Sequence, residues 1–492
     1  MIPWGFFQPD SYGINANVLV AAKNVLPAVV QGARGPIPAY VPERTPVAVS
    51  DALASACVGL IAQRQNDGNV VEFAGTQTAL YRFNPPSWVD VSRVSGGPYT
   101  TAAGERWRFA GFNPLILATN YNDVPQKYDT TLVTPKFTAL GGSPPKARFI
   151  GIVRDQVVLA GLFGNENALQ FSGYNNSELW TIGGAGGADI QYFPEGGPIT
   201  GFVGGPVGHV FQNSRITRMT LSRSTTVYQF DEVQGGKGCV APDSIVKVGD
   251  LVFFLAADGF YRLSISSGEV TPLGVNKWRK WFMNDLRAGT VTQIQGAFDP
   301  TNPVIKWAFV ASSVSGSTLN RILNYDMSLD EATYEDISVE ALAQWLTASV
   351  TLDTMTPYGT LDTLPFSLDS SFWKAGASLI SSIDTNHKLN YFQGTPMAAE
   401  WVTSDGKLDR RAFISAVTPL IDTTATTIAV SMRERDGDAI AFPVQEVMED
   451  TGKCSAWTSG NIARARIQTP AGANWSVMSG LTTDELEDAG VR

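Results

Sequence analysis

The stretch "FFLAADGFYRLS", residues 253 to 264, carries two apolar, aromatic runs separated by a turn that holds an Asp-Gly pair. Asp-Gly between such runs is a tight-hairpin signal, because primed turns need φ > 0 and Gly supplies it without strain. Residues 253–256 and 260–263 are therefore expected as adjacent antiparallel strands. The same alternation recurs along the chain. Strand-rich units begin at Val58, Arg106, Ala147, Ile199, Ile245 and Gly296, and their starts advance by 48, 41, 52, 46 and 51 residues. Each unit has a first apolar strand, a polar turn, a second apolar strand, another turn, and a strand bearing Tyr, Phe or Trp. A period in the forties with about four strands is the footprint of a β-propeller blade. A pair of β-sandwiches would use the same strands and is the competing architecture.

Helical periodicity is scarce. "SVEALAQWLTASV", from Ser338, places Val339, Leu342, Trp345 and Leu346 near one face, with Ser338 as cap and Glu340 in the first turn, and predicts one short helix. "RKWFMNDLRAG" predicts a second. Beyond residue 350 the pattern changes: "TLDTMTPYGTLDTLPFSLDSSFW" has spaced Leu-Asp pairs, two Pro and no Lys or Arg. It reads as an ordered loop or extension. From about Leu389 alternating strands return, with Asp405-Gly406 and Asp436-Gly437 turns. The expected fold is mainly β: a propeller of about six blades with a smaller C-terminal β-sandwich-like domain. The expected divisions are an N-terminal extended segment at 1–50, the propeller at 51–345, an extended insertion at 346–388 and a C-terminal β domain at 389–492.

The net charge is −10 over 492 residues. That balance argues against a surface built to grip nucleic acid, which needs Lys and Arg arrayed against phosphates. It does not argue against a protein past which DNA slides. Three distant cysteines, Cys57, Cys239 and Cys454, give no disulfide framework or zinc knuckle and suit a reducing compartment. "MIPWGFFQPDSYG" lacks a basic leader, and "VLVAAKNVLPAVV" is too short and too interrupted to span a bilayer, so neither a signal peptide nor a membrane segment is expected.

A search for chemistry finds little. There are two histidines, His209 and His387. Neither lies near a recognisable nucleophile motif; His209 reads as a strand-end residue and His387 as a surface-loop residue. "GGAGGAD", 183–189, lacks the Lys-Ser/Thr of a phosphate loop and reads as an inter-strand loop. A glycosidase would need two carboxyls at defined separation. Asp155, Asp250 and Asp258 are candidates, yet all fall where turn geometry alone favours Asp. Trp107, Trp180 and Tyr261 could form a sugar platform, although at strand spacing they fit blade core better. No catalytic, cofactor-binding or metal-binding residue is assigned.

Four stretches together resemble the tail nozzle proteins of short-tailed bacteriophages, also called hub or packaged-DNA stabilisation proteins. They are "NALQFSGYNNSELWTI" with "DIQYFPEGGPITGFVGG" (167–205), "RITRMTLSRSTTVYQFDEVQGGKGCVAPDSIVKVGDLVFFLAADGFYRLS" (215–264), "TPLGVNKWRKWF" (271–282) and "YGTLDTLPFSLDSSFW" (358–373). The resemblance rests on their order and spacing and covers about 145 to 480. It implies a β-propeller protomer in a six-fold homo-oligomeric ring, without catalysis or cofactor, in the virion tail after synthesis in host cytoplasm. Its implied partners are the head-to-tail adaptor, distal needle, fibre or tailspike proteins, and duplex DNA passing non-specifically through the channel. An acidic lumen would keep DNA from sticking, its repulsion reaching only about 8 Å at physiological salt. The Lys-free loop at 351–371, with Asp353, Asp362 and Asp369, is the candidate lumen or tip segment. Two alternatives stay open: a propeller glycosidase or lyase acting on bacterial surface glycans, and a monomeric propeller binding scaffold.

Overall fold

The structure is a computed structural model that describes residues 2–488 except 3, 12–15, 33–34, 113, 185, 223–225, 348–354, 356–357, 360–361, 363, 365, 375 and 484–485. Six antiparallel blades follow one another through 59–90, 108–139, 147–192, 199–235, 246–272 and 295–335. Their first strands, from Gly59–Arg64 in blade 1 to Gln295–Asp299 in blade 6, start within two residues of the six repeat starts. The opening hairpin is Leu251–Ala256 against Gly259–Ser264 in blade 5, with Ala256 opposite Gly259. Its turn is centred on Ala257-Asp258, so the positive φ falls on Gly259 (φ 141°) at the turn's end rather than inside the central pair.

A seventh sheet stands between blade 6 and blade 1 and completes the ring. It consists of Val339–Leu346, Ser378–Asp384 and Leu389–Pro396, with Arg44–Ala48 from the N-terminal segment as its outer strand. Its inner strand packs beside the inner strands of blades 6 and 1. The helix expected from Ser338 is therefore a strand. A register shift between Val339 and Ala341 resets the alternation, so the buried positions follow a spacing that mimics a helix face. The second expected helix is present at Arg279–Asp285.

The remaining strands form a second β body continuous with the ring. Leu19–Lys23, Val25–Gly32 and Gly35–Pro42 join Ala399–Thr403, Gly406–Ile421, Thr427–Arg433, Cys454–Thr469 and Met478–Thr483. Leu19–Lys23 pairs antiparallel with Ala399–Thr403 and meets the outer strand of blade 6 in parallel, Lys23 opposite Tyr334. The segment at 1–50, expected as extended, supplies strands to both bodies, and Leu389–Pro396, expected in the C-terminal domain, belongs to the ring. The insertion at 346–388 likewise contributes Ser378–Asp384 to the ring.

One hydrophobic core crosses the junction. Phe7, Leu19 and Tyr40 share it with Phe260, Trp278, Phe282 and Trp307 of the propeller side and with Trp401, Ile467 and Trp475 of the second body. Phe260 stacks on Trp307 at 4.1 Å between ring centroids. Burying side chains of this size contributes about 1.5–3 kcal/mol each. Polar groups lock the same junction. Asp10 accepts from the backbone N–H groups of Lys280 (2.5 Å) and Trp281 (2.8 Å), capping a helix whose own preceding residue supplies no side-chain cap. Glu43 and Glu335 both bond the buried Lys306 ammonium, at 2.9 and 2.6 Å.

Candidate functional site

The first strand of each blade faces the axis, so whatever polar residues those strands carry meet there. The axial cavity has a volume of about 400 Å³ and is lined by inner-strand residues from all seven sheets, among them Leu60, Arg108, Phe149, Phe202, Lys247, Gly296 and Leu342. Three cations converge on it with one carboxylate: Arg106, Arg108, Lys247 and Asp243. Asp243 enters from the short 3-10 turn Pro242–Ser244 that precedes blade 5. It bonds Arg108 Nη2 at 2.9 Å and lies 3.5 Å from Arg106 Nε. Arg106 also donates to Gln295 Oε1 at 3.1 Å, and Gln295 Nε2 donates to the Glu340 carbonyl at 3.0 Å. The Arg108 guanidinium sits 4.5 Å from the Phe149 ring centroid. Lys247 donates to the Gly204 carbonyl at 2.9 Å, a neutral partner. The cavity is thus cationic in a protein that is acidic as a whole.

Sequence reasoning missed this cluster. The signal was "RWR" at the start of the second repeat: Arg106 just before the inner strand and Arg108 at its first position put two cations at the axial end of blade 2. Trp107 between them turns the other way, into the seam of blades 1 and 2. Its indole N–H donates to the Thr76 carbonyl at 2.9 Å, and a Cβ on Gly75 would come within 2.3 Å of the ring. Only glycine permits that approach.

The other sequence candidates lie apart. Asp155, Asp250 and Asp258 occupy hairpin turns of blades 3 and 5. The Ser266 hydroxyl holds the Asp250 carboxyl below its ordinary value, and Asp258 pairs with Lys237 at 2.7 Å and Arg279 at 2.6 Å. Trp180 and Tyr261 are buried in blade cores. His209 is fully buried in blade 4 with no hydrogen-bond partner on either ring nitrogen. Burial, ahead of Arg218 and Lys247, pushes its pKa down to about 4, so it is neutral at pH 7. His387 sits in the turn before Leu389–Pro396, with Nδ1 2.9 Å from Glu340. Asp353 lies outside the described residues. Asp362 and Asp369 are exposed, on the excursion between the first and second strands of the seventh sheet. That excursion is anchored by Phe366 and Phe372 against Tyr391, the last pair at 5.3 Å, and neither aspartate lines the axial cavity.

No grouping of three or more His, Cys, Asp or Glu suited to a metal occurs among the described residues. No described helix is long and apolar enough to cross a membrane. The three cysteines are buried and unpaired.

The class that the fold defines is the β-propeller, joined to a second β body. No family model and no curated protein matches the sequence. Solved structures with similar folds include a chain of the mitotic checkpoint complex, at 12% identity and TM-score 0.40, covering 71% of this chain and 95% of that one. Another is the extracellular domain of a putative one-component system from B. thetaiotaomicron, at 8% identity and TM-score 0.42, covering 84% and 47%. The β-propeller domain of Myceliophteria thermophila Cps50 (Swd1) matches at 9% identity and TM-score 0.40, covering 70% and 98%.

Proposed function

We propose that the chain is a ring-forming structural subunit of a short phage tail, a nozzle protein through which packaged DNA is retained and then passed. The observation that carries this reading is the junction. Residues 19–48 supply strands to both bodies, and one hydrophobic core runs between them. A conduit subunit has to hold its shape under load, and a propeller that shares strands and a core with a second sheet is suited to that, the two bodies being joined among the described residues by strands rather than by a long loop. The acidic balance fits a wall that DNA slides past. The resemblance in 145–480 supplies the partners: five further copies, the adaptor on one side, distal tail proteins on the other, and duplex DNA in the bore of the assembled ring.

Mass measurement of the purified protein, alone and with its adaptor, together with negative-stain images, tests this. A six-fold ring with an open centre is expected. A protein that stays monomeric when the adaptor is present overturns the nozzle reading and favours the monomeric scaffold. Turnover of host surface glycan that disappears on changing Asp155, Asp250 or Asp258 to Asn would favour the glycosidase.

A further inference from the structure

We propose that the axial cavity of the propeller is a binding site for a small oxyanion carrying two negative charges, such as a phosphate group or a dicarboxylate. This does not rest on the role in a phage tail. Three cations face a single carboxylate there, an excess of two positive charges inside a cavity of about 400 Å³. A dianion would neutralise that excess. Like charges gathered in a recess with low-dielectric walls focus the field on whatever enters it, and cavities of a few hundred Å³ suit small molecules. Duplex DNA is far too wide for it.

The geometry favours an oxyanion over a halide. Asp243 and Gln295 orient two guanidiniums at one side, Arg108 through Asp243 and Arg106 through both. The Phe149 face supports Arg108 from below. Arg108 also donates Nη1 to the Arg148 carbonyl at 3.3 Å, so each planar guanidinium is held by two protein acceptors, and its remaining N–H groups are the donors that carboxylate or phosphate oxygens would take. Lys247, an exposed residue of blade 5, also lines the cavity, and its ammonium donates to the Gly204 carbonyl. A carbonyl holds the ammonium in place without cancelling its charge. His209, neutral beside Lys247, adds no further positive charge at neutral pH.

The full-length protein is titrated with inorganic phosphate and, separately, with malonate. Ionic strength is held constant with sodium chloride, and binding is read by calorimetry and by the melting temperature. Saturable binding of at least one dianion is expected, with a rise in melting temperature that chloride alone does not reproduce. Lys247→Gln should weaken that binding at least tenfold while leaving the unliganded melting temperature nearly unchanged, because only a bond to a carbonyl is lost. Arg108→Lys, which keeps the charge but not the fork, should weaken it by a smaller factor. Binding of neither dianion overturns the proposal. Equal binding by the wild type and Lys247→Gln also overturns it, since the anion would then be held elsewhere.

Discussion

Blade 2 and the seventh sheet are both four-stranded, yet they are built in opposite ways. Blade 2 takes Arg108–Phe112, Leu115–Thr119, Gln126–Asp129 and Thr138–Ala139, four strands in succession joined by short turns. The seventh sheet takes its inner strand from Val339–Leu346 and its outer strand from Arg44–Ala48, at the other end of the chain. Its outer strand also carries Pro46, tolerable only because that edge has no further neighbour. Local hairpins form from their own sequence. The closing sheet instead pairs segments about 350 residues apart, so its outer pairing carries a loop-closure entropy that no blade hairpin carries. The seam is thus the part of the ring whose strands come from both ends of the chain.

Deleting residues 1–48 should have the largest effect. It removes the outer strand of the seventh sheet, three strands of the second body, the Asp10 cap and Glu43 together. The truncated protein is expected to lose its cooperative thermal transition by circular dichroism. A truncated chain that melts cooperatively within a few degrees of the full one would show that the N-terminal strands do not hold the ring closed. Next comes Lys306→Met. Lys306 and Glu335 are fully buried and Glu43 nearly so, so the substitution leaves two carboxylates without their cation, at a cost of about 3–5 kcal/mol. The control is Lys127→Met, whose partner Glu178 bridges blades 2 and 3 at the surface, 2.6 Å away. That change should cost under about 1 kcal/mol in urea unfolding. Equal costs at the two sites would remove the distinction between seam and blade.

The same contrast explains what the sequence disclosed. Six repeat starts were legible because each blade is a run of neighbouring hairpins whose turns carry Gly, Asp and Asn. The strand at 339–346 was not, since a bulge beside Glu340 gives Val339, Leu342 and Trp345 the spacing of a helix face. Partnering by Arg44–Ala48 leaves no local trace at all, and "RTPVA" by itself says nothing about Leu389–Pro396. Within the candidate site, Arg106 and Arg108 were visible as residues but not as a pair on Asp243. More than a hundred positions separate them from it, and only the ring topology brings blades 2 and 5 to one axis.

Glu72→Gln probes the seam between blade 1 and the seventh sheet. Glu72 lies in the second strand of blade 1, with Trp345 of the seventh sheet beside it. Burial pushes its carboxyl up to about 8, against smaller opposing effects from Trp345 and Arg82. A folded-state value raised above the ordinary 4.5 means that the native protein holds a proton which the unfolded chain releases. Stability from this group is therefore full below about pH 4.5 and falls steadily as pH rises to about 8. Replacement by Gln removes the titration. It should raise stability by roughly 2 kcal/mol at pH 9 and change it little at pH 4.5, part of the gain being lost to the buried amide. Parallel pH profiles for the two proteins would show that Glu72 does not titrate at the seam.

The smallest effect on folding is expected from Asp362→Lys with Asp369→Lys. Both side chains are exposed, and the excursion that bears them is held by Phe366, Phe372 and Trp373 rather than by its aspartates. Exposed substitutions of this kind cost within about 0.5 kcal/mol, and the lost Ser367 hydrogen bond to Asp369 lies at the surface. The functional consequence should be larger than the structural one. Unmodified protein is expected to bind duplex DNA weakly even at low salt, where attraction to any cationic surface would be strongest. If the excursion faces the bore of the assembled ring, the two lysines should slow DNA release from reconstituted particles, more so as salt falls. Tight, salt-sensitive binding of DNA by the unmodified protein would overturn the passive conduit. Unchanged release by the double variant would remove only the excursion from the bore, because the expectation of weak DNA binding rests on the net charge of −10 and not on these two aspartates.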